Sequence, residues 1–168
     1  MGSNLLSLPN SSSTSSTSRR KYDVFLSFRG EDTRYKFTDH LYTALVKRGI
    51  VTFRDDENLE RGKIISPELL QAIEDSRFAI VILSENYAYS SWCLDELAKI
   101  IECENELGMK VLPVFHYVDP SDVRKQTGTF EEAFVAHEKR FEEKRVKTWR
   151  VALTHVGNLA GCHLKNIR

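Results

Sequence analysis

The sequence lacks a net charge of either sign: its 24 lysines and arginines are balanced by 24 aspartates and glutamates. No global basic field exists to attract nucleic acid, so such a partner is left only a local patch. Cysteine is scarce. Cys93, Cys103 and Cys162 are three in number, an odd count that suits neither a disulfide framework nor a metal site and fits a reducing compartment. No continuous apolar stretch reaches the ~18 residues of a membrane-crossing helix. Leu5, Leu6 and Leu8 are too interrupted for a secretory signal. Met1-Gly2 opens like an acylation site, but Leu6 stands where that motif needs Ser or Thr. The five histidines are scattered, so no metal is expected. No Gly-rich run ends in Lys followed by Ser or Thr, which excludes the phosphate-cradling loop of nucleotide triphosphatases. These absences place the chain in the cytoplasm, with the nucleus as a second location, and away from membranes.

What is present suits one domain. The chain has 168 residues, of which 41% are hydrophobic and 29% charged, enough apolar material for an ordinary core. Residues 11–18 are all Ser or Thr, followed by Arg19, Arg20 and Lys21. Such a segment cannot bury enough apolar surface to offset its ordering entropy, so residues 1–20 are expected to be a disordered leader before a domain over 21–168.

Order is expected from Tyr22. Tyr22-Asp23-Val24-Phe25-Leu26-Ser27-Phe28 reads as a strand ending near Gly30. Phe37, Leu41, Ala44 and Leu45 recur at helical spacing up to Gly49. Ile50-Val51-Thr52-Phe53 is a second strand, followed by a long polar connection to Lys63. Ser66-Pro67 starts a helix, with Ser66 as its cap. Phe78-Ala79-Ile80-Val81-Ile82-Leu83 lacks alternation, as a central strand covered on both faces does. A helix follows from Ser91 to about Cys103, then the strand Val111-Leu112-Pro113-Val114-Phe115. Pro113 inside it predicts an edge or a local irregularity. Two more helical patterns end the chain, Phe130 to Phe141 and Val146 to Val156. Four strands are visible and a fifth has no clear position. Alternation of strand and helix implies a mostly parallel α/β sheet whose ligands bind beyond the strands' C-terminal ends.

Those ends carry distinctive residues. After the first strand comes Arg29-Gly30-Glu31-Asp32-Thr33-Arg34, where a glycine permits close backbone approach and two arginines offer forks for phosphate. A solvated helix start is the plainer alternative. Arg54 to Gly62 is long for a strand–helix loop, a length that often marks a binding loop. After the third strand, Ser90 and Trp92 precede Glu96, and Trp92 and Glu96 are four apart on one helical face. A carboxylate beneath an indole makes a pocket; an exposed Glu beside a half-buried Trp is the alternative.

Several segments together resemble the plant TIR domain. The stretch Tyr22 to Arg34 is similar to that family's opening motif. Ser91-Trp92-Cys93-Leu94-Asp95-Glu96-Leu97, Val111 to Phe115, Asp119-Pro120-Ser121-Asp122-Val123-Arg124, Gly128 and Gly157-Asn158-Leu159-Ala160-Gly161 follow in the family's order. The resemblance spans about residues 21–164. It implies a flavodoxin-like three-layer sandwich with about five parallel strands and helices on both faces. It also implies the N-terminal module of an intracellular disease-resistance receptor.

Further implications of the resemblance concern function. The activity is NAD+ glycohydrolysis, with Glu96 as the catalytic carboxylate. NAD+ or NADP+ enters as substrate, and no tightly bound cofactor is expected. Arg29, Gly30, Glu31, Asp32, Thr33, Arg34, Arg61, Ser90 and Trp92 are the candidate substrate-binding residues. Asp39, His40 and Gly157 fall at self-association surfaces, with Asp39 where the family often has Ser. Downstream immune proteins would respond to the nucleotide products. The competing class is a non-enzymatic adaptor that signals by self-association alone.

Overall fold

The structure is a computed structural model that describes residues 20–55 and 64–165. The leader expected over 1–20 lies outside the described residues except for Arg20, and so do residues 56–63 with Arg61. Five strands form one sheet: β1 (Tyr22–Ser27), β2 (Thr52–Arg54), β3 (Ser76–Leu83), β4 (Lys110–His116) and β5 (Cys162–Leu164). Their order is β2-β1-β3-β4-β5, and every pairing is parallel. The helices are α1 (Gly30–Thr33), α2 (Asp39–Lys47), α3 (Pro67–Glu74), α4 (Ser91–Leu107), α5 (Pro120–Lys125), α6 (Thr129–Arg140) and α7 (Glu143–Gly157). A π-helical turn at Arg34–Thr38 joins α1 to α2.

The chain leaves β1 toward one sheet edge and then returns past it to build the other side. Right-handed crossovers therefore place α2 on one face and α3 to α7 on the opposite face. The larger core lies between α3–α7 and the sheet. Phe25, Val81, Leu83 and Phe115 pack there against Leu69, Ile73, Leu94, Leu97, Phe134 and Trp149. On the other face Val24, Leu26, Ile80, Ile82 and Val114 lie beneath Phe37, Leu41 and Leu45. Each fully buried side chain of this size contributes about 1.5–3 kcal/mol.

The structure completes two expectations and revises a third. The fifth strand is Cys162–Leu164, a three-residue edge paired to Val114–His116. Pro113 is in an inner strand, but β5 begins pairing only at Val114, so the proline sits where the outer partner has not yet started. Gly161 makes that junction possible: a Cβ there would lie 2.2 Å from the Pro113 carbonyl oxygen. Finally, β3 is not covered on both faces throughout. Phe78 is 48% exposed and Leu112 of β4 39%, because α2 shields only part of its face.

Helix ends follow local chemistry. Ser66 Oγ accepts the Leu69 amide at 3.3 Å, with Pro67 at the first helical position. Gly49 closes the turn after α2 with φ of +77°, a conformation that costs glycine nothing. The order of strands reverses between β1 and β3, and their C-terminal ends, Ser27 and Leu83, mark the switch point.

Candidate active site

Ser27 is the last residue of β1 and follows the apolar run Val24-Phe25-Leu26. It is fully buried, and a buried hydroxyl needs partners. It has two: its Oγ lies 2.9 Å from Glu96 Oε1 and 2.8 Å from the Tyr87 hydroxyl. Tyr87 comes from the short 3-10 turn after β3 and reaches the Cys93 carbonyl at 3.1 Å. Glu96 is in place because α4 begins at the same strand mouth, where Ser90 caps it by accepting the Cys93 amide at 3.1 Å.

Glu96 is only 2% exposed, which excludes the alternative of an exposed glutamate beside Trp92. Burial holds its carboxyl group well above the ordinary value, the Ser27 hydroxyl opposes this, and Asp55 and Asp95 add to it. Trp92, one turn earlier on the same face, is 9% exposed and donates its indole N–H to Asp55 Oδ2 at 3.1 Å. The indole thus covers the carboxyl group and is itself latched to the segment leaving β2. A groove of about 540 Å³ lies outside the latch, lined by Tyr22, Phe53, Asp55, Ser66, Leu69 and Trp92.

The loop after β1 is built inward rather than left solvated. Asp32 accepts from Arg29 Nη1 at 3.1 Å, Ser84 Oγ at 2.5 Å and the Asn86 amide at 3.1 Å. It therefore fastens the end of β1 to the end of β3. Glu31 is exposed and pairs with Arg29 at 3.0 Å. Thr33 is buried and bonded to Thr38 at 2.7 Å. Arg34 lies over the Phe28 ring at 5.3 Å and across Gly30, whose Cβ, if present, would come within 2.8 Å of the guanidinium.

The self-association candidates lie apart from this cluster. Asp39 and His40 are exposed on α2, with Asp39 paired to Arg54 at 3.2 Å. Gly157 is buried at the end of α7, where a Cβ would come within 2.9 Å of the Arg124 backbone of α5. Cys93 is buried, and burial pushes its thiol far above the range of a nucleophile. Among the described residues no His, Cys, Asp or Glu cluster could hold a metal ion, and no helix is long and apolar enough to cross a membrane. Sequence reasoning missed Ser27, Tyr87 and Asp55 as partners of this site. The legible clue was a serine inside Val24-Phe25-Leu26-Ser27-Phe28, since a polar residue in an apolar strand requires a buried partner.

An all-parallel five-stranded sheet in the order β2-β1-β3-β4-β5 fits a TIR domain, and the chain belongs to that family: the TIR domain model matches residues 21–168. It is similar to the disease resistance protein RPV1 of Vitis rotundifolia, 60% identical over 94% of this chain and 11% of that protein. It is also similar to the TMV resistance protein N of Nicotiana glutinosa, 54% identical over 89% of this chain and 13% of the relative. The chain therefore spans only a small part of these relatives' length. Among solved structures it resembles the TIR domains of the activated Roq1 resistosome, which directly recognises the pathogen effector XopQ. That match has a TM-score of 0.77 and 53% identity, covering 85% of this chain and 87% of the other. The protein is thus a TIR domain of the kind carried by plant disease-resistance proteins.

Proposed function

We propose that this domain cleaves the nicotinamide–ribose bond of NAD+, or of NADP+ as the alternative substrate, and that the cleavage is its signal in plant defence. The observation that carries the reading is Glu96: a carboxyl group at the switch point, bonded to Ser27 and covered by Trp92. Nicotinamide departs from a pyridinium with the electrons of the broken C–N bond, so it leaves neutral and needs no proton. A single carboxylate then suffices where most glycosidases use a pair. The ribose is left with oxocarbenium character, which the Glu96 anion stabilises. Water adds to that carbon and gives up a proton, yielding ADP-ribose; capture by a nucleotide hydroxyl yields a cyclic product instead.

The resting site is closed to this chemistry. Glu96 is buried and its proton is held by desolvation, so the reaction requires the Trp92–Asp55 bond to part and a cationic pyridinium to approach, which favours the anion. Arg29 and Arg34 lie at the same end of the sheet and are the described candidates for the pyrophosphate. Self-association is the opening event in this reading. Its support is the exposed Asp39-His40 pair on α2 and the likeness to TIR domains within a resistosome. Nucleotide products then carry the signal to downstream immune proteins.

A non-enzymatic adaptor is the second reading, favoured by the near-complete burial of Glu96 in the single chain. Nicotinamide release from NAD+ by the wild type and Glu96→Ala, each concentrated and checked for folding, decides between them. We expect turnover that rises per subunit with concentration and is lost in the variant. Equal rates remove Glu96 from the mechanism, and no turnover even by clustered wild type leaves the adaptor.

A further inference from the structure

The buried oxygens around Glu96 do not carry enough protons. Glu96 Oε1 and Ser27 Oγ are 2.9 Å apart, Ser27 Oγ and Tyr87 Oη 2.8 Å, and Tyr87 Oη and the Cys93 carbonyl oxygen 3.1 Å. Each of these three contacts is a hydrogen bond only if a proton lies in it. The Ser27 and Tyr87 hydroxyls bring one proton each, and a peptide carbonyl brings none. With Glu96 ionised, two protons serve three contacts. With Glu96 protonated on Oε1 all three are satisfied in one direction: Glu96 donates to Ser27, Ser27 to Tyr87, and Tyr87 to the Cys93 carbonyl.

Burial keeps the shortfall from being made good by solvent. Ser27 and Tyr87 are fully buried, Glu96 is 2% exposed and Cys93 4%, so no water supplies the missing proton and the ionised form has one hydrogen bond fewer. Ionisation therefore requires the Ser27 hydroxyl to turn round and donate to Glu96. Tyr87 must then give its proton to Ser27, leaving the Cys93 carbonyl to the amide donor that an interior helix carbonyl already has.

We propose that Ser27 and Tyr87 form a directional hydroxyl chain that decides whether Glu96 keeps its proton, with Tyr87 a positioning residue that acts through Ser27. Charged and titratable groups facing Glu96 are Asp55 after β2, Asp95 and Cys93 on α4, and Tyr87. Asp95 is itself held by Arg145 of α7 at 2.6 Å and by the Trp149 indole N–H at 2.9 Å. Arg29, from the loop after β1, acts on Cys93. Apart from Tyr87 none of these donates a proton to the hydroxyl pair; the Trp92 indole acts on Glu96 beside the pair, in favour of the anion.

The two hydroxyls have opposite effects. Without the Tyr87 hydroxyl, the protonated form leaves Ser27 a donor with no acceptor, while the ionised form keeps its Ser27 donor; ionisation becomes easier. Without the Ser27 hydroxyl, the ionised form loses the larger of its two side-chain donors, the other being Trp92, and ionisation becomes harder. The kinetic consequence rests on the proposed role of Glu96; the proton count does not.

The test is infrared spectroscopy of the full chain labelled with ¹³C-glutamate, recorded against pH, with the Glu96 carboxyl band assigned by its loss in Glu96→Gln. Tyr87→Phe, which preserves the ring, should move the midpoint of that band down by about one pH unit, and Ser27→Ala should move it up by a similar amount. A midpoint unmoved or raised in Tyr87→Phe, or lowered in Ser27→Ala, overturns the proposal. Each variant carries its own sign, so one that folds is enough to decide. If NAD+ is turned over, the acid limb of the pH–rate profile should move in the same two directions. A protein without turnover would end the catalytic reading and leave the infrared result intact.

Discussion

Replacing Glu96 with glutamine exposes the electrostatic state of the site through stability alone. In the folded chain, desolvation holds the Glu96 carboxyl group above its ordinary value of 4.5, and Asp55 and Asp95 act in the same direction. In the unfolded chain it returns to that ordinary value. Above pH 4.5 the unfolded state releases a proton that the folded state retains. The folded state then binds more protons, so stability falls as pH rises, by about 1.4 kcal/mol per pH unit, until the folded value is passed. Glutamine has the same shape, donates to the Ser27 hydroxyl through its amide N–H as the protonated acid does, and does not titrate. The stabilities of the two proteins should lie within about 1 kcal/mol of each other at the acid end. The variant should then gain on the wild type along that slope. Urea unfolding at intervals up to about pH 8 measures it, and all other titrations cancel in the difference. A flat difference would mean that Glu96 ionises normally inside the fold, and a slope of the other sign would mean that the fold favours its anion. Either result refutes the argument from burial.

Three further substitutions probe the packing that positions the site. Gly161→Ala should cost about 2–4 kcal/mol, because its Cβ meets the Pro113 carbonyl rather than a movable side chain; thermal melting decides it, and an unchanged Tm would mean that β5 is not packed as described. Gly157→Ala should lower stability by about 1–3 kcal/mol even at dilutions where no assembly forms, since the clash is with the Arg124 backbone of the same chain. Full stability in dilute solution would instead favour a role confined to an interface. Asp32→Ala strands the Ser84 hydroxyl and the Asn86 amide and should cost about 1–3 kcal/mol by denaturant unfolding; a silent substitution would show that the tie between β1 and β3 is not energetically used.

The sequence made most of the fold legible because its elements are marked by local chemistry. Ser66-Pro67 predicts the start of α3, and Ser66 caps it. The unbroken apolar run Phe78 to Leu83 predicts β3, the strand between β1 and β4. The fifth strand escaped because Cys162-His163-Leu164 is three residues long, exposed at its start and without alternation. Its one signal is Gly161, and that glycine reports a close backbone approach rather than a strand. In the site, helical spacing put Trp92 and Glu96 on one face, but spacing alone does not say whether that face looks inward. The answer depends on Ser27, 69 residues away, a separation over which no local pattern carries information. Asp32 was legible as a loop residue beside two arginines; its partners Ser84 and Asn86 follow from β1 and β3 being neighbours, a fact of topology.

The span between Ser27 and Glu96 also has a meaning for the nascent chain. β1 leaves the ribosome before the rest of its sheet, and its inner neighbour β3 begins 54 residues after it at the paired positions Tyr22 and Ser76. Non-local parallel pairing of this sort is slow, because the loop must close before any contact repays it. Until α4 has docked, Ser27 lies on an unfinished edge and no acid group faces it. The meeting of Glu96 with Ser27 therefore cannot precede the fold: a partly synthesised copy lacks this buried cluster altogether.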